Sequence, residues 1–154
     1  MNGTVRAALN SFYEDWRPVL SQRVRLFFAS DALPETGLTP AAKADAFAVQ
    51  HGFQPIGFNW EMLDPEAGLG EPRSALGTIV EALQRDIAQP SREWLDEGKA
   101  HQCATQFLGA FAQGNGTILT NHLNGLWWPI SEAADEWTFV AMDEDTIALW
   151  LMAA

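Results

Sequence analysis

The residues of this chain with the types and spacing to do chemistry are acids set beside indoles. Glu61 and Asp64 follow Trp60, and Asp135 and Glu136 precede Trp137. A carboxyl group held against an apolar ring is pushed toward its neutral form, and a neutral carboxyl near an ionised one is what a hydrolytic general acid needs. The same juxtaposition arises readily in any acidic chain rich in tryptophan, so structural indoles beside solvated acids are the simpler reading. Trp127 and Trp128 are adjacent, and successive strand side chains leave opposite faces. One of them therefore packs under a helix, or serves as an anchor for a protein partner or a stacking platform for a sugar. The candidate ligand- or partner-binding residues are thus Trp60, Glu61, Asp64, Trp127, Trp128, Asp135 and Glu136.

Other spacings fail on physical grounds. His101 and Cys103 are two residues apart on an expected helix, where side chains do not face each other, so the imidazole cannot take the thiol proton. Gly109 and Gly114 have the interval of a phosphate-binding loop, but Asn115 and Gly116 stand where Lys and Ser or Thr are required. Asp143-Glu144-Asp145 lacks the glycine of a calcium loop and reads as a solvated turn. No nucleophile elbow, His-Glu-x-x-His, Cys-x-x-Cys or dinucleotide fingerprint occurs. The expectation is no catalytic residue, no metal and no cofactor.

Composition narrows the partner. The 154 residues are 47% hydrophobic and 19% charged, a balance that favours a folded core over disorder. The net charge of −11 is unevenly spread. Residues 1–50 carry five basic and five acidic side chains, whereas residues 51–154 carry four and fifteen. Such a surface repels a phosphate backbone, which argues against nucleic acid, and attracts a basic protein. Solubility alone also accounts for it. One cysteine, no visible signal peptide and no apolar run near the roughly 20 residues of a membrane span lead to a cytoplasmic expectation with no membrane partner.

The positioning elements follow from periodicity. Val5, Leu9, Phe12, Trp16, Leu20, Val24 and Phe27 form a helical stripe that Pro18 should kink or split, with 23–28 as an alternative short strand. Thr39-Pro40 opens a helix over 40–51 that Gly52 ends. Residues 53–60 hold a weak strand, and 59–72 an acidic loop. Two helices follow, one carrying Leu76 to Ile87 and one capped by Ser91 and stopped by Gly114. Strands at 117–122 and 126–130 flank Asn124-Gly125, a type I′ turn signal, and strands at 136–142 and 146–152 flank the 143–145 turn.

The expected fold is one α+β domain spanning 1–154, N-terminal helices packed on a C-terminal antiparallel sheet of three to four meander strands. Both faces of those strands are apolar, so either helices cover both, or one face is buried against a partner or holds a ligand. The function that fits is a small acidic, non-catalytic, inhibitor- or immunity-like domain that docks a basic protein. A small-molecule or carbohydrate binder, with hydrolase chemistry from paired carboxylates, is the alternative. A homo-oligomer without activity of its own is the third.

Overall fold

The computed structural model describes residues 3–35, 39–111 and 116–154. The first helix, α1 (Gly3–Leu20), buries the expected stripe of Val5, Leu9, Phe12, Trp16 and Leu20. It runs through Pro18, which stands two residues from its end and leaves the Glu14 carbonyl without its helical donor. The stripe does not continue. Residues Arg25–Ala32 form a strand, β1, rather than helix. Leu26 and Phe28 pack on one side of it and Phe27 and Ala29 on the other, which is two-residue alternation. Its partner is the last strand of the chain, and no local period reports so distant a pairing.

Helix α2 (Pro40–Gln50) starts as its sequence implies, with Thr39 Oγ1 accepting from the Ala42 N–H at 3.1 Å. Gly52 follows it at φ +86°, a left-handed conformation suited to glycine. The strand expected at 53–60 is absent. The Asp45 carboxylate accepts from the backbone N–H groups of Ile56 and Gly57 and from the Trp60 indole, which winds Gly57–Asn59 into a short 3-10 turn. Pairing starts afterwards, at β2 (Glu61–Leu63), inside the expected acidic loop. Helix α3 (Ala75–Gln84) is capped by Ser74. Helix α4 (Glu97–Gly109) is capped by Asp96 and not by Ser91, because residues 84–95 first double back along the end of α3, Trp94 donating to Gln84 and Leu95 to Leu83. Gly114, the expected stop of α4, lies outside the described residues.

Among the described residues five strands make the main sheet in the order β1, β7 (Thr146–Ala153), β6 (Glu136–Met142), β3 (Thr117–Thr120), β2, and their pairings are antiparallel. The fold is α+β, and the sheet departs from a simple meander in two ways. Its edges come from β1 and β2, and the residues between β3 and β6 form a separate two-stranded ribbon, β4 (His122–Leu123) with β5 (Leu126–Trp127). Asn124 and Gly125 turn that ribbon at φ +54° and +79°, the positive pair of a type I′ turn.

Both sheet faces are covered within the chain. Ile118, Phe139, Ala141, Ala148, Trp150 and Met152 meet α1, α3 and α4, while Leu119, Val140, Met142, Ile147, Leu149 and Leu151 meet α2, Trp60 and Ile130. All of these strand side chains are buried. Among the described residues no helix is long and apolar enough to cross a membrane.

Candidate functional site

The β4–β5 ribbon folds over the start of β6, and its placement rests on two side chains. Asn121 donates from Nδ2 to the Trp128 carbonyl at 2.9 Å and accepts from the Thr138 N–H at 2.9 Å. Glu136, 2% exposed, then uses both carboxylate oxygens. Oε2 accepts from Asn121 Nδ2, the Ile130 N–H and Thr138 Oγ1, and Oε1 accepts from the N–H and hydroxyl of Ser131. Its five donors compensate the burial of the group. Glu136 is a clasp, with no lone pair left aimed at a ligand.

The clasp aligns a row of rings. In the ribbon register His122 lies opposite Trp127, and the rings sit 6.2 Å apart at 18°. His122 also stacks on Trp137 at 3.7 Å and 17°, and Trp137 on Phe139 at 5.7 Å and 14°. Trp137 and Phe139 are two apart on β6 and share a face. The row therefore leads from half-buried Trp127 down to fully buried Phe139.

A cleft of about 250 Å³ opens beside this row, lined by Trp127, His122 and Trp137 and by Glu81, Arg85 and Asp86 at and just beyond the end of α3. Asp135 and Glu136 also line it. A second recess of about 410 Å³ shares Glu81, His122, Gly125 and Trp137 and extends toward 70–74. The carboxylates differ in availability. Asp86 accepts from Arg23 at 3.0 Å and from the Ala88 and Gln89 N–H groups. The Gln89 N–H first, with Arg23 and Ala88 adding, holds it below the usual carboxylate range. The side-chain carboxylates of Glu81 and Asp135 have no hydrogen-bond or ion partner among the described residues. His122 Nδ1 is buried without a partner, and burial lowers its pKa below the ordinary 6.5, so the ring is neutral at pH 7.

The cleft thus gathers Trp127, Asp135 and Glu136 from the candidate residues. The others lie elsewhere. Trp60 is buried under the opposite sheet face with its indole N–H on Asp45. Glu61 pairs with Arg73 at 3.0 Å, and Asp64 accepts from the Glu66 N–H in the loop before α3. Trp128 is 49% exposed beyond the ribbon. His122 and Glu81 were missed. For His122 the legible signal is that it and Trp127 flank the Asn-Gly turn at opposed positions, whereas nothing local marks Glu81. Cys103 is buried in the core, which pushes its thiol pKa up and keeps it protonated. A recess of about 1020 Å³ near Arg25, Phe53 and Glu132 contains none of the candidate residues. No protein-family profile, curated protein or solved structure matches the chain.

Proposed function

We propose that the protein is a non-catalytic binding domain for a basic protein, and that the cleft between the ribbon and α3 receives an arginine or lysine side chain. One observation carries this: Trp127, Glu81 and Asp135, the two acids having carboxylates without a partner among the described residues, line the same 250 Å³ space. A cation over an indole gains about 0.5–2 kcal/mol, more as water is excluded, and an adjacent carboxylate adds a charge-assisted hydrogen bond. The net charge of −11 raises the encounter rate with a basic partner. The commitment of Glu136 to five donors argues against an Asp135–Glu136 acid–base pair. A reducing cytoplasmic setting fits the single thiol.

The test is titration of an arginine-rich peptide against tryptophan fluorescence, with an acidic peptide of equal length as control. Binding of the basic peptide alone, weakened by salt and about tenfold by Trp127→Ala, is expected. Absence of binding, or binding indifferent to Trp127→Ala and Asp135→Asn, refutes the proposal. The flat Trp127 face also supports a sugar ligand. In that case a carbohydrate panel raises the melting temperature while basic peptides do not.

A further inference from the structure

The two edges of the main sheet are unequal. At β2 the exposed edge is only three residues long, Arg73 Nη1 donates to the Met62 carbonyl at 3.2 Å, and Asp64 is bridged to Ser74. That edge is blunted. At β1 the edge is eight residues long, with no proline and no lysine. Leu33 donates to the Asp145 carbonyl, and Leu33 stands opposite Asp145 when the β1–β7 register is continued. In an antiparallel pair this alternation turns the backbone groups of odd-numbered β1 residues toward β7 and those of even-numbered residues outward. The Ala32 N–H agrees, being taken by the Asp31 side chain at 2.8 Å and not by a strand. The backbone groups of Leu26, Phe28 and Ser30 thus point out of the sheet, and no hydrogen bond reaches them among the described residues.

We infer that this edge pairs with β1 of a second copy of the chain, antiparallel and centred on Phe28. Three features of the strand select this register. Leu26 falls opposite Ser30 of the second copy and Phe28 opposite its own equivalent, and all of these carry outward-facing donors and acceptors. Arg25 falls opposite Asp31 of the second copy, on the same sheet face, so opposite charges meet at both ends of the contact. Phe27 and Phe28 are only partly buried in one chain, and Tyr13 stacks on Phe28 at 5.6 Å, so apolar rings gather at the two-fold axis. A two-fold contact must be self-complementary, and this strand is. Among the described residues the Asp31 carboxylate accepts from the Ala32 N–H at 2.8 Å and has Arg6 as its ion partner at 3.9 Å, a long and weak competitor. The pairing does not depend on the cleft or on a basic partner.

Sedimentation equilibrium of the full chain tests it. The expected mass rises with concentration toward twice the 17.0 kDa of the monomer. Arg25→Glu, which sets two acids face to face, weakens association at least tenfold, and adding Asp31→Arg recovers part of the loss. Ser30→Pro removes an outward donor without touching the bonds to β7, so it yields a monomer with an unchanged circular dichroism spectrum. A monomer up to about 1 mM overturns the inference, and so does a dimer insensitive to both Ser30→Pro and the charge swap.

Discussion

The central hairpin β6–β7 and the small ribbon β4–β5 are both antiparallel, both carry tryptophan, and behave oppositely. Trp150 in β7 is fully buried among Phe12, Phe107 and Phe139, whereas Trp127 is half-buried and Trp128 is 49% exposed. The difference is the second layer. Helices lie on both sides of β6–β7, whereas among the described residues the ribbon borders the start of β6, the end of α3 and, across an open recess, residues 70–74. An indole in the first setting stabilises the fold, and in the second it keeps part of its surface exposed, as the proposed binding role requires. The lesson is that residue type does not separate core from site; the number of layers does.

Substitutions should sharpen that contrast. Trp150→Ala is expected to cost about 3–5 kcal/mol by cavity formation, measured by denaturant unfolding, with any residual folded protein still binding the basic peptide. Glu136→Ala, at the junction of the two regions, leaves the Ile130 and Ser131 N–H groups and the Asn121 amide unmatched. A loss of about 3 kcal/mol is expected, together with altered Trp127 fluorescence as the ribbon detaches. Gly125→Ala meets no steric neighbour but keeps φ +79°, so about 1 kcal/mol of backbone strain is expected. Trp127→Ala should change stability least, by under about 1 kcal/mol, while weakening binding. If instead it proved as destabilising as Trp150→Ala, the contrast between ribbon and sheet would be wrong.

Acid should act through His122. Its folded pKa is depressed, so the unfolded chain binds the proton more readily. The stability associated with the neutral ring is complete above about pH 6.5 and is lost as pH falls through the lower folded value. Melting temperature measured from pH 7.5 to 5 should decline, and His122→Phe should flatten that slope.

Sequence alone determined the features that depend on near neighbours. The α1 stripe, the Thr39–Pro40 start, the Asn124-Gly125 turn and the β6–β7 hairpin each follow from 3.6-residue or two-residue periods and from residues that fit a special backbone angle. The apolar content of both β7 faces also implied two covering layers, which α2 on one side and α1, α3 and α4 on the other supply. Only tertiary structure decided the rest. Whether 25–32 was helix or strand turned on hydrogen bonds to β7, at the far end of the chain. Whether Asp135 and Glu136 were equivalent turned on donors from Asn121, Ile130 and Ser131, which leave one carboxylate spent and the other open. Local periodicity records which way a side chain leaves the backbone, but burial and hydrogen-bond partners depend on what the folded chain brings opposite.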